Sequence, residues 1–275
     1  MQDIRQTELW GRYLQYQGWK VEMIGGGLGK IQVLVRKLEP LPLALMKTQR
    51  FAEGIDLEEL DKVRRANRVV YSILEPMEAT DRLKKQMAQY GYRQSSSPYL
   101  PSKTLIIDLD QPLEVLKGNL SSNARRILGQ KKTGVVIRKA ELESFYKEWQ
   151  RWAKTWIMKK EQLVWLVNNG GNQVNMWVSC QNNQMLSGLL TIESRDCLNY
   201  FQTWTNDKGR KLGAHYHLVW DSIVKAKEKG LKYYDFEGIY DDRFPIKKWL
   251  GFSSFKRRFG GYEKMLPGCY VRWGF

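Results

Sequence analysis

The order of the runs between residues 175 and 236 limits what this chain can fold into more than any other feature. Asn175 to Gln181 and Met185 to Ile192 are strand-forming runs joined by the turn pair Asn182-Asn183, and Cys197 to Trp204 follows after Ser194-Arg195-Asp196. Three such runs in succession predict an antiparallel meander. A helix is predicted from about Leu212 to Lys229, where Leu212, Tyr216, Val219, Ile223 and Ala226 recur at helical spacing and Gly230 stands at the C′ position. Tyr233 to Phe236 then reads as a further strand, and its polar residue Asp235 needs a partner if it is buried.

This β-β-β-α-β order is that of a GNAT-type N-acyltransferase core, and the first half carries a weaker copy. Strands are predicted at Lys20 to Ile24, Lys30 to Val35 and Arg68 to Leu74, with helices at Leu57 to Asn67 and at Thr80 to Tyr90, the latter closed by Gly91. The expected fold class is α/β (α+β): two GNAT-like acyltransferase domains with mixed, mainly antiparallel sheets. The Ser- and Pro-rich segment from Gln94 to Lys103 marks the expected boundary, giving a first domain over 1–102 and a second over 103–263. Thr104 to Leu109 opens the second as a strand, followed by helical sequence from about Pro112 to Gln130.

Charge narrows the partners. The 275 residues carry 45 Lys and Arg against 29 Asp and Glu, a net +16 that calls for a polyanion: nucleic acid, a nucleotide-linked substrate or an anionic membrane surface. No apolar run is long enough to span a bilayer and the start, MQDIRQTELW, is polar, so the cytosol is the expected location, with the inner face of the membrane as a peripheral option. Cys180, Cys197 and Cys269 are odd in number and widely spaced, which fits neither a disulfide framework nor a zinc site; they read as reduced packing residues. His215 and His217, the two histidines, lie two apart on a predicted helix and cannot converge on one metal. No metal and no cofactor are expected.

Several local motifs have structural readings beside functional ones. GGGLGK, from Gly25 to Lys30, lacks the spacing of a phosphate loop and sits between two strands, so a hairpin turn is favoured. Arg210-Lys211-Leu212-Gly213-Ala214-His215 opens a helix where acetyltransferases hold the coenzyme A pyrophosphate on backbone amides, but the bulk of His215 argues against that use. Arg125 and Arg126, then Lys131 and Lys132, form a basic helix end and turn, half explained by the helix dipole and half as RNA-phosphate contacts. Trp149, Trp152, Trp156 and Trp165 read as core and cleft-wall residues. Beyond the Tyr233 strand, Arg243, Lys247, Lys248, Lys256, Arg257 and Arg258 crowd positive charge into a loop suited to phosphates.

Three blocks of the chain resemble the FemABX family of peptidoglycan aminoacyltransferases. QTELWGRYLQYQGW, from Gln6 to Trp19, is similar to the family's "Q[ST]..W..FK...GW" opening; TLIIDL with NARRIL and KKTGV, from Thr104 to Val135, to its "IDL...R.NI..A.K.GV" block; and YYDFEGI with FKRRFG to its "YYDFGGI" strand and "FK..FG" element. The resemblance implies two GNAT-like domains, with residues 264–275 returning to the first. It implies transfer of an amino acid from aminoacyl-tRNA to the stem peptide of a precursor, UDP-MurNAc-pentapeptide or lipid II. Both reactants are polyanions, in keeping with the charge. An acyl-CoA-dependent N-acyltransferase and a non-catalytic module for RNA or anionic lipid are the alternatives.

By the same resemblance Phe255 and Lys256 are the catalytic candidates, an amide and an ammonium placed to receive an oxyanion or the terminal adenosine of the tRNA; the structural alternative is strand packing with an exposed lysine. Arg125, Arg126, Lys131, Lys132, Arg257 and Arg258 are the tRNA-binding candidates. On the substrate side, a family lysine that touches the diphosphate falls on Leu14, leaving Arg12 nearby, and a family Arg-x-x-x-Tyr falls near Lys159 and Lys160 without a tyrosine in step. Glu75, before Pro76, takes the place of a family Asp. Tyr200 is a further substrate-binding candidate. Glu237 replaces a small residue of the signature and adds a carboxylate that is either a base or a partner for Arg243.

Overall fold

The computed structural model describes residues 1–27, 29–130, 134–153 and 157–274, so the expectations for Lys131, Lys132 and Trp156 lie outside the described residues. The chain divides into two compact units: the first holds 3–103, 240–246 and 265–275, the second 1–2, 104–239 and 247–264.

In the first unit α1 (Glu8–Tyr16) begins where the Thr7 hydroxyl accepts from the Trp10 amide. There follow β1 (Lys20–Gly26), β2 (Gly29–Lys37), β3 (Ala44–Phe51), α2 (Leu57–Ala66), β4 (Val69–Pro76), α3 (Asp81–Gln89) and β5 (Arg93–Gln94). β1 and β2 pair antiparallel down to Gly26 opposite Gly29, the hairpin geometry read from the glycine run. β3 runs parallel to β4 and was not foreseen, because Lys47, Gln49 and Arg50 break its apolar pattern although all three are buried. One face of this sheet carries Val33, Val35, Met46 and Leu74 into a core with Leu57 and Leu60 of α2 and Leu83 and Met87 of α3. Alternate positions on the other face are mostly polar, among them Gln32, Lys47, Gln49 and Glu75.

The second unit contains β6 (Lys103–Asp108), α4 (Leu113–Gly118), α5 (Ser122–Leu128), β7 (Val136–Lys139), α6 (Leu142–Trp152), α7 (Lys160–Gly170), β8 (Val174–Gln181), β9 (Gln184–Glu193) and β10 (Cys197–Thr205). After these come α8 (Asp207–Lys211), α9 (Ala214–Glu228), β11 (Tyr233–Gly238), α10 (Leu250–Arg257) and β12 (Tyr262–Met265). The meander is present as β8, β9 and β10, with Asn182 and Asn183 both at positive φ in the first turn. The predicted helix starts two residues late, since Gly213 adopts φ 63° and separates α8 from α9. It ends at Gly230, whose φ of 78° only glycine takes up without strain. β11 then enters the sheet parallel to β10, giving the order β12-β6-β11-β10-β9-β8-β7. Leu218, Val219, Ile223 and Ala226 of α9 pack with Leu189, Tyr234 and Phe236 of the sheet.

The last strand, β13 (Tyr270–Trp273), pairs antiparallel with β4 and β5, so the first sheet runs β1-β2-β3-β4-β13-β5. Cys180, Cys197 and Cys269 are free and buried. Among the described residues no helix is long and apolar enough to cross a membrane.

Candidate active site

In the second unit, β11 carries the first group of candidate residues. Its register against β6 shifts between Asp235 and Gly238, and at this bulge Glu237 takes φ 60°, a conformation costing a non-glycine residue about 1–3 kcal/mol. Asp235, whose burial demanded a partner, accepts hydrogen bonds from the Thr104 hydroxyl and from the Glu237 amide at 2.7 Å. Thr104 also reaches the Glu237 carbonyl at 2.9 Å, so the bulge is pinned from both sides.

Lys256 stands over this bulge. The structural alternative, strand packing with an exposed lysine, is not what is found: the segment is the helix α10, and the lysine is 7% exposed. Its Nζ donates to the Gly238 carbonyl at 2.7 Å and lies 5.4 Å from the Tyr200 ring centre and 5.0 Å from that of Phe252. Burial pushes its pKa down to about 8, against the opposing pull of Glu237 and Asp235. Phe255 has a different role from the one expected of its backbone. As the sixth residue of an eight-residue helix, its amide is directed at the carbonyl four residues back, leaving no donor for an oxyanion. Its ring packs against His215, Tyr216 and Phe259 instead.

His215 completes the cluster. Its Nε2 lies 2.8 Å from the Tyr200 hydroxyl and 3.0 Å from that of Thr203, and Thr203 donates to the Gly188 carbonyl at 2.9 Å. Because Thr203 gives its proton to Gly188, it meets the imidazole as an acceptor, which assigns the ring proton to Nε2. Nδ1 is then a bare lone pair, the cheaper kind of orphan, and it has no partner among the described residues. Burial drives the imidazole pKa down to about 3 and raises that of the Tyr200 phenol, so both are neutral at ordinary pH. Tyr200 accepts from Nε2 and keeps its own proton to donate.

The remaining candidates are dispersed. Lys159 and Lys160 line an open groove of about 410 Å³ with Glu143, Tyr146, Lys147, Gln150 and Glu161, where Lys160 pairs with Glu143 at 2.7 Å. Tyr146, absent from the sequence reading, supplies a tyrosine at this groove and donates to the Met158 carbonyl at 3.2 Å. Arg125 and Arg126 bond locally, to the Gly118 carbonyl at 2.7 Å and Asn123 at 3.0 Å. Arg257 is paired with Glu263 at 2.6 Å, and Arg258 donates to the Tyr216 hydroxyl at 2.5 Å. In the first unit Arg12 is exposed on α1, whereas Leu14 is a core residue, 4% exposed. Glu75 is 1% exposed and accepts from the Gln49 amide at 2.9 Å and the Leu100 backbone at 2.7 Å. Arg243 forks onto Asp241 and donates to the Ser102 and Leu266 carbonyls. Burial works to raise the Asp241 carboxyl, and the hydrogen bonds from Arg243 and Ser102 overcome it, holding the group below the usual carboxylate range.

Residues 160–271, which include β11 and α10, match the sequence model of the FemAB family. Over this stretch, less than half of its length, the chain is similar to the FemAB family. Its fold agrees: a crystal structure of FemX superposes with a TM-score of 0.82 over 98% of this chain and 92% of that one, at 15% identity. L-PGS from Bacillus licheniformis matches at TM-score 0.58, 10% identity, covering 99% of this chain and 93% of that one. A tandem GNAT protein from the clavulanic acid biosynthesis pathway matches at 0.55 and 8% identity, covering 93% and 83%. A search of curated proteins finds no match. These likenesses support the two-domain GNAT-like fold expected from the repeated strand order.

Proposed function

We propose that this protein is a member of the FemABX family and transfers an amino acid from aminoacyl-tRNA to an amine on the stem peptide of a peptidoglycan precursor. The FemAB match over residues 160–271 and the likeness to FemX support the coarser statement, acyl transfer in interpeptide bridge formation. One observation carries the choice of site: the buried Lys256 ammonium held at the strained end of β11, 5.4 Å from the centre of the Tyr200 ring.

The reaction is the aminolysis of an ester. The acceptor amine attacks the ester carbonyl, a C–N bond forms, and the carbonyl oxygen becomes an oxyanion. The C–O bond to the tRNA ribose then breaks, and the proton lost by the amine ends on the departing ribose oxygen. Lys256 and Tyr200 supply a cation and a neutral donor for the oxyanion, already oriented before reaction, by the Gly238 carbonyl and by His215 respectively. Glu237, one residue from Gly238, is the nearest carboxylate in sequence and the candidate to orient the amine. The groove lined by Lys159 and Lys160 offers charge for the diphosphate of the precursor, and the exposed Arg125 and Arg126 for tRNA phosphates.

The test is direct. Purified protein is incubated with a mixture of charged tRNAs and either UDP-MurNAc-pentapeptide or lipid II, and the products are weighed by mass spectrometry. An added aminoacyl mass that disappears on ribonuclease treatment supports the reading. Acylation from acyl-CoA in its place, or no transfer from any charged tRNA, overturns it.

A further inference from the structure

The bulge of β11 is closed from the neighbouring strand by a threonine. From Asp235 opposite Ile106 to Gly238 opposite Thr104, β11 advances three residues while β6 passes two, so β11 holds one extra residue and the ladder opens there. Thr104 stands at the closing end of this gap and is buried. Its hydroxyl turns back into the gap and reaches two acceptors, the Asp235 carboxylate and, at 2.9 Å, the Glu237 carbonyl. The same Asp235 oxygen accepts from the Glu237 amide at 2.7 Å. A hydroxyl has one proton, so a single donor serves both ends of the bulge.

What the bulge presents is the acceptor of the buried ammonium. Gly238, the cross-strand partner of Thr104, carries the carbonyl that accepts from Lys256 Nζ at 2.7 Å. Without the extra residue every group beyond it would slip by one position and change its facing. Asp235 and Glu237 are also the two carboxylate residues whose charge opposes the deprotonation of Lys256. Thr104 therefore holds together the carbonyl that orients the ammonium and the residues that keep it charged. Tyr200, the second donor of the site, likewise sits at a register shift, where β10 slips against β9 between Tyr200 and Gln202. Both donors are aimed by departures from regular pairing, which is what bulges do beside reaction centres.

We propose that Thr104 is a positioning residue for aminoacyl transfer: its hydroxyl fixes the β11 bulge so that the Gly238 carbonyl holds the Lys256 ammonium where the oxyanion forms. It acts through Gly238 and touches no reacting atom. The assignment rests on the reading of Lys256 as the cation of the site, and the state of that ammonium can be measured without any turnover.

The protein is labelled with lysine carrying carbon-13 at the ε position and titrated by NMR, the Lys256 signal being assigned by its loss in Lys256→Met. The groups facing this ammonium are Asp235 and Glu237 of β11, the Tyr200 ring of β10 and Phe252 of its own helix, with the neutral His215 of α9 beside Tyr200. The parent midpoint is expected at about pH 8. Thr104→Val keeps the shape and removes the donor; the midpoint should fall by about half a unit or more, because an ammonium whose acceptor is displaced deprotonates more readily. Thr104→Ser should restore it. Ser222→Ala, which removes a buried hydroxyl bonded to Tyr234 in the same core, should leave the midpoint in place however much stability is lost. In the tRNA-dependent assay Thr104→Val should lower kcat about 10-fold or more, with KM for both substrates within about 2-fold of the parent, and serine should again rescue. Thr104→Ala carries the same expectations where valine folds poorly. A parental midpoint in both Thr104→Val and Thr104→Ala, an equal shift in Ser222→Ala, or failure of serine to rescue overturns the proposal. If no charged tRNA is turned over, the titration decides alone: a shifted midpoint keeps Thr104 as the residue that positions Lys256, while the transfer reading falls.

Discussion

Lys256 Nζ and the carbonyl oxygen of Gly238 are 2.7 Å apart, a hydrogen bond that ties a buried ammonium on α10 to the bulged end of β11. Substituting Lys256 by Met keeps the volume and removes the charge. Turnover in the tRNA-dependent assay is expected to drop about 100- to 1000-fold, the usual cost of one lost oxyanion donor. Unfolding free energy should stay within about 1 kcal/mol of the parent or exceed it, because deleting a buried charge in favour of apolar volume is often neutral or stabilising. Parent-like turnover in the Met variant would remove Lys256 from the mechanism.

The same lysine sets an alkaline limit. With a folded pKa of about 8, its charge is lost as pH rises through that value, and the rate should decline above about pH 8. Stability moves the other way. The unfolded lysine titrates near 10.5, so between about pH 8 and 10.5 the unfolded chain binds more protons and stability rises with pH. Lys47, also lowered to about 8, adds a rise of the same sign. Denaturant midpoints at several pH values, parent against Lys256→Met, isolate the Lys256 share.

Tyr200 and His215 should behave as one unit. Tyr200→Phe is expected to lower turnover by about 100-fold, and combining it with His215→Gln should cost less than the sum of the two, a coupling of about 1 kcal/mol or more in a double-mutant cycle. His215 stays neutral down to about pH 3, so the rate profile should show no limb near the ordinary imidazole pKa. Additive effects, or an inflection near pH 6.5 that vanishes in His215→Gln, would contradict the assignment of His215 as a neutral positioning group.

Glu237 sits at φ 60°, and Glu237→Gly relieves that conformation. The variant should gain about 1 kcal/mol in chemical denaturation. It also removes the first carboxylate that raises the Lys256 pKa, so the alkaline decline in rate should shift to lower pH. A variant less stable than the parent would show that Glu237 makes a contact worth more than the strain.

Elements with unbroken periodicity were legible in the sequence. The meander, α9 and β11 could be read because apolar residues recur at the expected spacing and Asn182-Asn183 and Gly230 punctuate them. β3 was hidden, since a face carrying Lys47 and Gln49 does not alternate with polar residues in the usual sense: its polar side is buried as well. α10 was not foreseen as a helix: eight residues carry little periodicity, and the ring of Phe255 packs against His215 and Tyr216, contacts that only the tertiary fold supplies. Lys256 was found through its family motif. The Tyr200–His215–Thr203 contact was not, because its members come from a strand and a helix that only tertiary pairing brings together.

The first sheet takes its fifth strand from the end of the chain: β13 lies between β4 and β5, although some 170 residues separate them in sequence. Until residues 270–273 have been synthesised this sheet has an unfilled slot, and β5 has no strand beside it. Expressing residues 1–102 alone should yield an aggregation-prone fragment, and adding a peptide spanning 265–274 should restore its solubility.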